Sequence, residues 1–238
     1  MAAFFFFSWI FTNMCGITGI ISGNNSFETQ GDSEAMLMER LKKMTASLAH
    51  RGPDGENHWC SKNANAIFGH RRLSIIDLSN AASQPMHYRD RYTIIHNGEI
   101  YNYPELKQNL IRKGYTFLSS GDTEVILAAY DCYKEDCLRL FDGMFAFAIW
   151  DEKEQQFFAA RDRFGEKPFY YHIDADRFFF ASEMKALFAA GIKRTIHEKM
   201  LLNYLTLGYV QNPTDKEQTF FENIYSLPPA HYLKIGKD

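Results

Sequence analysis

Hydrophobic positions change their spacing several times along the chain, and the first pattern is an isoleucine-rich run. Residues Cys15 to Ser22 are mostly apolar and are bounded by glycines, which predicts a strand. The next apolar residues recur every three or four positions, with Asp32 or Ser33 available as a helix cap. They are Leu37, Leu41, Met44 and Leu48. We therefore expect a strand followed by an amphipathic helix with one buried face.

Two further strands are predicted before the middle of the chain, near Ala66 to Ile76 and near Arg91 to His96. The pair Asn97-Gly98 follows the second strand. It is most simply a two-residue hairpin turn, because both residues tolerate positive φ. The segment HRGPDG, from His50 to Gly55, also predicts a turn.

Helix starts are indicated at two places after these strands. Asn102, Pro104 and Glu105 have the spacing of a helix N-terminus, and that helix is expected to run to about Lys113. Asp122 precedes the apolar run TEVILAAY and is most simply an N-cap.

The pattern becomes β-like from Met144 to Ala181, where four apolar segments are separated by short polar turns. These segments are GMFAFAIW, FFAARDRF, PFYY and RFFFAS. Both alternating faces of GMFAFAIW are apolar, so both faces are expected to be covered. Sheets at the centre with helices outside them satisfy this burial better than a doubly wound parallel sheet. After Gly191 we expect one more helix and a strand ending near Ile235.

Composition limits the classes of function. The 238 residues are 46% hydrophobic and carry a formal charge of −3, which favours a folded globular protein and gives no electrostatic footprint for nucleic acid or an anionic membrane. Four cysteines are too few and too irregularly spaced for a disulfide scaffold, so a reducing cytoplasm is expected. The histidines and cysteines have no zinc-binding spacing, and no metal is predicted.

The first thirteen residues, MAAFFFFSWIFTN, differ from all that follows. Their apolar run would span about 15 Å as a helix, too short to cross a bilayer core of about 30 Å. A secretory signal needs a basic start, yet no Lys or Arg precedes Arg40. A propeptide, a start codon assigned too early, or a short strand or membrane-touching stub all remain open interpretations.

Several segments, taken together and in their order along the chain, match the motifs of one protein family. They are Met14-Cys15-Gly16-Ile17, HRGPDG, HRRLSIIDL, NGEIYNY, SGDTEVIL, GMFAFAIWD, ARDRFGEKPFYY and ASEMKAL. From Met14 to the end, the chain closely resembles the glutaminase domain of glutamine-dependent asparagine synthetases. That family belongs to the class II glutamine amidotransferases. The resemblance implies an α+β fold, a four-layer α/β/β/α sandwich of two mainly antiparallel sheets, the N-terminal-nucleophile hydrolase fold.

The resemblance also implies a set of catalytic and substrate-binding residues. Cys15 would be the nucleophile, with its own free α-amino group as the base, and glutamine would be hydrolysed through a Cys15 thioester. Asn97 and Gly98 would form the oxyanion hole. Arg72 would hold the α-carboxylate of L-glutamine. The remaining substrate contacts would come from Leu73, Ile75, Glu99 and Asp122.

Other motif residues are given structural roles. Arg51 and the run Arg161-Asp162-Arg163 are interpreted as ion-pair or interface residues. Cys60, Cys132 and Cys137 are interpreted as packing thiols.

Asparagine synthetases also contain a domain that adenylates aspartate, with a loop of the form SGGxDS, and nothing in this chain matches that loop. We therefore expect no cofactor in this chain, with ATP and Mg required only by a synthetase domain or subunit as partner. Residues 1–14 are expected to be an extension, 15–210 the glutaminase domain, and 211–238 its end and the start of a connection. A homodimer is possible, and an apolar docking surface is expected in the β-rich half and from Leu187 to Leu233.

Three functional interpretations stay open on the sequence alone. The chain is a glutaminase that supplies ammonia for asparagine synthesis, or a catalytically inactive glutamine-binding or docking fragment, or the amidotransferase half of a related synthetase with another acceptor.

Overall fold

The computed structural model of the chain describes residues 14–22, 33–74, 80–174 and 177–236. The strands in these ranges are β1 (Gly16–Ser22), β2 (Gly55–Cys60), β3 (Ala66–Arg72), β4 (Met86–Tyr88), β5 (Tyr92–Ile100), β6 (Gly143–Asp151), β7 (Gln156–Arg161), β8 (Tyr170–Asp174), β9 (Arg177–Ala181), β10 (Tyr225–Ser226) and β11 (Tyr232–Ile235). The α-helices are α1 (Glu34–Ser47), α2 (Tyr103–Arg112), α3 (Thr123–Tyr133), α4 (Met184–Ala189) and α5 (Glu198–Leu207). Short 3-10 helices cover Asn80–Ala82 and Lys134–Arg139.

The strands form two sheets. One has six strands in the order β10-β8-β9-β1-β3-β2, and the other has five in the order β11-β7-β6-β5-β4. All the described strand pairs are antiparallel. The strands β10 and β11 come from the C-terminal stretch and complete one sheet each.

Three buried clusters separate four layers. The five-stranded sheet packs its outer face on α2 and α3, and Ile94, Leu106 and Val125 belong to the buried cluster between them. A second cluster fills the space between the two sheets. A third lies between the six-stranded sheet and the pair α1 and α4, and it includes Leu41 of α1 and Leu187 of α4. The predicted α/β/β/α sandwich is confirmed.

The strand β6 shows why the two sheets are central. Its odd-numbered residues Phe145, Phe147 and Ile149 belong to the cluster under the helices. Its even-numbered residues Ala146, Ala148 and Trp150 belong to the cluster between the sheets. Both faces of GMFAFAIW are apolar because each face is covered by a different layer, as predicted.

The first helix begins and packs as expected. Ser33 caps α1, because its side chain accepts a hydrogen bond from the main-chain N–H of Met36 at 3.3 Å. Leu37, Leu41 and Met44 are buried under it. The alternative cap, Asp32, lies outside the described residues.

The start of α2 differs from the prediction in its chemistry. Pro104 lies in the first turn as expected, but the Asn102 side chain makes no capping hydrogen bond. Its amide instead donates to Leu140 O at 2.9 Å and accepts from Asp142 N at 3.0 Å. Asn102 therefore ties the helix start to the segment that leads into β6.

The hairpin turn predicted at Asn97-Gly98 is wrong. Both residues lie inside β5, which continues to Ile100 in register with β6. A side chain at Gly98 would collide with the main chain of Met144 and Phe145, so glycine is required for the two strands to approach. The strands β2, β4 and β10 and the short helix α4 were not predicted.

The C-terminal stretch contains the predicted helix, α5, and the predicted strand, β11. Only Met200 of α5 is buried, whereas Leu202 is 59% and Leu205 71% exposed. The expected apolar surface therefore lies on α5 and the residues after it. The strands of the β-rich half are mostly buried and do not contribute to it, contrary to expectation. The helices in the described part of the chain lack the combination of length and hydrophobicity that a membrane span requires.

Candidate active site

Three strands bring the main site residues to one end of the space between the sheets. Ile17 of β1, Phe68 of β3 and Ile95 of β5 point into this space. Because side chains alternate along a strand, Arg72 and Asn97 are directed to the same side. The main chain of Cys15 enters β1 beside the end of β3, since Gly16 pairs with Arg71. The fold thus gathers residues that are distant in the sequence.

The Cys15 thiol lies against the chain that leaves β3. Its Sγ accepts a hydrogen bond from Leu73 N at 3.4 Å and donates to Leu73 O at 3.6 Å. Burial raises the pKa of this thiol, while the Leu73 hydrogen bond and the charges of Arg51 and Arg72 lower it and Asp122 raises it. All of these groups are therefore close enough to affect ionisation of Cys15.

Arg51 fixes the main chain of the nucleophile candidate. Its Nε donates to Cys15 O at 3.0 Å, and its Nη1 pairs with Glu183 Oε1 at 3.0 Å. Glu183 also binds His50 and Lys185, and these three hydrogen bonds lower its pKa against the opposing effect of burial. The ion pair expected for Arg51 is present, and it lies directly beside the site.

The Asn97 side chain supplies a buried amide donor. Asn97 is 1% exposed, and its Nδ2 has no hydrogen-bond partner among the described residues. Buried amide groups are rarely left without a partner, so this atom is available to a ligand. The next residue, Gly98, has φ of +153° and brings the main chain of β5 close to β6.

Asp122 is the N-cap residue of α3, as its helix-start pattern predicted, and its main-chain carbonyl accepts from Ile126 N at 3.0 Å. It makes no side-chain cap on α3. Its Oδ2 instead accepts from Ile100 N at 2.9 Å, which turns the carboxylate toward the end of β5. The N-cap position is therefore confirmed but the side chain does not cap the helix, and its charge lies in the neighbourhood of Cys15.

The remaining predicted substrate contacts lie at the same strand ends or cannot be placed. Glu99 is half-buried in β5, directly after Gly98. Its charge helps to raise the pKa of Tyr101, after the larger effect of burial and together with Glu166. Arg72 is half-buried as the last residue of β3. Ile75 lies outside the described residues.

The model of the "Glutamine amidotransferase domain" family matches residues 14–238. The chain belongs to this family. Asparagine synthetase [glutamine-hydrolyzing] 3 and 1 of Bacillus subtilis are 41% and 43% identical to it, over 94% of the chain and 35% and 34% of their own lengths. Amidase chry2 of Gibberella zeae is 36% identical over 92% of the chain and 32% of its own length. The chain thus spans about a third of these relatives, and corresponds to their glutamine amidotransferase domain.

Two solved structures share the fold of this amidotransferase domain. One is a glutamine phosphoribosylpyrophosphate amidotransferase of B. subtilis, with a TM-score of 0.58 and 21% identity over 74% of the chain and 44% of the solved chain. The other is described as the allosteric regulatory enzyme of purine biosynthesis, with a TM-score of 0.59 and 17% identity over 94% and 47%. Both likenesses support the predicted sandwich fold.

A buried histidine pair behind the site of the amidotransferase domain was not predicted. His70 of β3 donates from Nε2 to His96 O of β5 at 3.2 Å, which ties the two sheets together. Burial lowers the pKa of His70 to about 3 and also lowers the pKa of His96. His70 stands within the motif HRRLSI, but a lone histidine in an apolar strand gives no indication of this cross-sheet contact.

The run Arg161-Asp162-Arg163 organises a loop beside the site. The buried Asp162 carboxylate accepts from the main-chain N–H groups of Phe164, Glu166 and Lys167 at 2.9 to 3.0 Å. The two arginines donate mainly to main-chain carbonyls, including Lys167 O and Phe141 O. Among the described residues these arginines make hydrogen bonds to main-chain carbonyls and not the expected ion pairs, so their contacts hold the loop in place.

No group of three or more His, Cys, Asp and Glu side chains suited to a metal ion occurs in the part of the chain that is described. Cys60, Cys132 and Cys137 are free thiols, and burial raises the pKa of Cys60 to about 12. The expectation that the domain works without a metal or cofactor stays a prediction.

Proposed function

We propose that this amidotransferase domain hydrolyses the side-chain amide of L-glutamine to glutamate and ammonia through a thioester on Cys15. The observation that carries the proposal is the placement of this thiol. It lies between main-chain atoms of Leu73 and the charges of Arg51 and Arg72, at the strand ends where Asn97 keeps a buried amide without a partner. These positions support the roles proposed here for Cys15 as nucleophile, Arg72 as carboxylate-binding cation and Asn97 as oxyanion donor.

The base is proposed to be the α-amino group of Cys15 itself. Among the described residues, neither a histidine nor a carboxylate bonds to Cys15 Sγ, and burial raises the pKa of the thiol. A free α-amine has an ordinary pKa of about 7.7 to 8.0, which suits a general base near neutral pH. Removal of Met14 would expose this amine directly beside its own thiol.

The substrate contacts follow from the charges around the thiol. Arg72 would bind the α-carboxylate of glutamine through its guanidinium fork, and Asp122 with Glu99 would bind the α-ammonium group. Main-chain groups of Leu73 and Ile75 would line the same pocket. Asn97 Nδ2 and Gly98 N–H would stabilise the oxyanion.

The reaction then proceeds in two balanced steps. The thiolate adds to the amide carbon, and the protonated amine returns its proton to the departing nitrogen, which leaves as ammonia. Water, deprotonated by the same amine, then hydrolyses the thioester to glutamate and restores the thiol.

The test compares two forms of the same chain. One begins at Cys15 and the other retains residues 1–14, with both N-termini verified by intact mass. We expect glutamate release only from the form that begins at Cys15. Full turnover by the longer form would contradict the proposed base, and no turnover by either form would favour the inactive glutamine-binding interpretation.

Arg72→Lys in the active form tests the carboxylate contact. A point charge cannot reproduce a bidentate contact, so KM for glutamine should rise with less effect on kcat.

The ammonia is proposed to serve ATP-dependent asparagine synthesis from aspartate. The support is that the B. subtilis relatives are named glutamine-hydrolysing asparagine synthetases and extend well beyond the matched third. ATP and Mg would belong to that other part. Amidase chry2 keeps open an acceptor other than aspartate.

The exposed face of α5 is the proposed docking surface for a synthetase domain. Leu202 and Leu205, three residues apart on one face of α5, are each more than half exposed, and large exposed apolar patches are unusual on a free monomer. We expect Leu205→Lys to reduce self-association and coupled asparagine formation with a synthetase domain supplied in trans, without loss of glutamine hydrolysis. Leu118→Lys, at a residue 94% exposed before α3, is the matched control. Unchanged light scattering and coupling in Leu205→Lys would contradict this surface.

A further inference from the structure

Lys167 is a buried lysine beside the site to which the proposed mechanism gives no role. It is 5% exposed, and its Nζ lies 2.7 Å from the sulfur of Met14. Among the described residues, no carboxylate lies within ion-pair distance of this ammonium. A thioether is a weak acceptor, so the contact with Met14 satisfies a buried charge poorly.

The loop before Lys167 holds the lysine in place. Its main-chain N–H donates to Asp162 Oδ2 at 3.0 Å, and its carbonyl accepts from Arg161 Nε at 2.7 Å. Asp162 is itself almost completely buried. Hydrogen bonds to Asp162 and Arg161 therefore fix the main chain on both sides of the Lys167 Cα, and the side chain extends from there to Met14.

The charges that face Lys167 come from several elements. Burial is the largest cause of its lowered pKa, followed by the positive charge of Arg51, while Glu166, Asp162 and Cys15 act in the opposite direction. Arg51 contacts the same N-terminal stretch twice, through Cys15 O and through its own carbonyl, which accepts from Met14 N at 3.0 Å. Lys167 and Arg51 thus contact the two residues of the Met14-Cys15 junction. Arg72 and Asp122 also act on Cys15 there with opposite charges, and Glu183 is the ion-pair partner of Arg51.

We propose that Lys167 is a positioning charge that keeps the free amine of Cys15 neutral, and therefore able to act as a base, and that also favours the Cys15 thiolate. This inference rests on the proposed function. Cleavage before Cys15 removes the methionine that contacts Lys167 and leaves the new amine near the two cations. A protonated amine would then face like charges, whereas a neutral amine and a thiolate would not.

The expected effect is a shift of the acid limb of the pH profile. Loss of one nearby cation should raise the pH at which the amine becomes neutral, by about one unit if the interaction is of ordinary strength. At a pH below the midpoint of the wild-type limb, kcat/KM should therefore fall by about tenfold, and at high pH it should be nearly unchanged.

The experiment uses the chain that begins at Cys15, verified by intact mass. Profiles of kcat/KM against pH are measured for the wild type, Lys167→Met and Lys167→Arg. Lys153→Met, at an exposed lysine in the turn between β6 and β7, is the control. We expect a shifted acid limb in Lys167→Met, a limb restored toward the wild type in Lys167→Arg, and no shift in the control.

A second measurement does not depend on glutamine hydrolysis. The rate at which iodoacetamide alkylates Cys15, followed by peptide mass analysis against pH, should show the same shift in Lys167→Met. If the alkylation profiles of the wild type and Lys167→Met differ by this shift but the wild type hydrolyses no glutamine, the proposed function fails and the inference about Lys167 survives.

Two results would overturn the inference. One is a uniform loss of activity at every pH in Lys167→Met, which indicates a packing role. The other is a midpoint of the wild-type acid limb at or above about 7.7 to 8.0, the ordinary pKa range of an α-amine. Such a midpoint would show that no cation lowers the pKa of the Cys15 amine. This measurement uses the wild type alone, so it does not depend on the folding of a variant.

Discussion

The two ends of the space between the sheets are built from opposite kinds of side chain. Where β1 ends, Phe157 packs on Phe178 and Phe180 with ring centroids 5.5 and 5.2 Å apart, in a fully apolar cluster. Where β1 begins, buried polar atoms of Asn97 and His70 have no partner among the described residues. The same two sheets therefore provide packing energy at one end and available hydrogen-bonding groups at the other.

This contrast separates stability from chemistry. Apolar burial contributes to folding without directional requirements, whereas a buried polar atom without a partner costs free energy until a ligand or water binds it. A substitution at the aromatic end should therefore change folding and leave the chemistry of surviving molecules intact. A substitution at the polar end should change the rate of the reaction and have less effect on the free energy of unfolding.

The largest effect is expected for Cys15→Ala in the active form. Removing the nucleophile should lower the rate of glutamine hydrolysis by roughly four orders of magnitude or more. The free energy of unfolding should change by less than about 1 kcal/mol, because the thiol bonds weakly to Leu73 alone among the described residues. Glutamate release and urea denaturation measure the two quantities, and residual turnover near the wild-type rate would exclude Cys15 as the nucleophile.

Phe157→Ala should give the opposite result at the aromatic end. Phe157 is fully buried among three other phenylalanine rings. Its truncation should lower the free energy of unfolding by about 3 to 5 kcal/mol, through lost transfer energy and a residual cavity. Glutaminase kcat per folded molecule should remain near the wild-type value. A large loss of kcat at full folding would show that the two ends are not independent.

The layers of this fold could be predicted from the sequence because each layer leaves a repeating pattern. Both faces of β6 are apolar, and α1 has its buried residues at helical spacing, so sheets inside helices were the natural solution. The continuation of β5 through Asn97-Gly98 could not be predicted, since the same two residues form hairpin turns elsewhere. What decides between the two structures is the long pairing with β6, which is not a local property.

The candidate site was predicted through motif order, which identifies residues but not their contacts. Asp122 and Asn102 have the residue type of a helix cap, yet their side chains bind Ile100 N and the segment near Asp142. Lys167 contacts Met14 and Arg51 contacts Cys15 only because a loop and a turn meet in space. Such cross-layer contacts depend on the assembled fold and leave no periodic pattern in the sequence.

Asn97→Ala tests whether a buried polar residue at this end contributes to the reaction and not to stability. Loss of one oxyanion donor should lower kcat by about 10²- to 10³-fold, or roughly 2.7 to 4 kcal/mol. Stability should hardly change, because Nδ2 has no partner to lose among the described residues. Steady-state kinetics and urea denaturation of the same preparation provide both values.

The matched control for Asn97→Ala is Asn102→Ala. The Asn102 amide bonds to both Leu140 O and Asp142 N, so its loss should cost about 1 to 2 kcal/mol of stability and leave kcat near the wild-type value. If Asn97→Ala instead resembles Asn102→Ala, with lost stability and retained kcat, the role of Asn97 is structural.

The smallest expected effect concerns His70, which lies at the polar end but contributes a cross-sheet hydrogen bond. Burial lowers its pKa to about 3, far below the value of about 6.5 expected in the unfolded chain. Between these values the unfolded state binds the extra proton, so this group makes stability fall as the pH falls from about 6.5 toward 3. For His70 alone the loss between pH 6.5 and pH 5 should be roughly 1.5 kcal/mol.

His70→Gln should remove that part of the pH dependence. Glutamine is neutral at every pH in this window and can still donate to His96 O, so the cross-sheet bond survives while the titration does not. His96, whose pKa is also lowered by burial, remains in both proteins and contributes equally to the two slopes. Urea denaturation between pH 5 and pH 7 should therefore give a shallower slope of unfolding free energy in His70→Gln than in the wild type. Equal slopes would mean that His70 is protonated as readily in the folded chain as in the unfolded one, and that the end of the sheets where β1 begins is open to water.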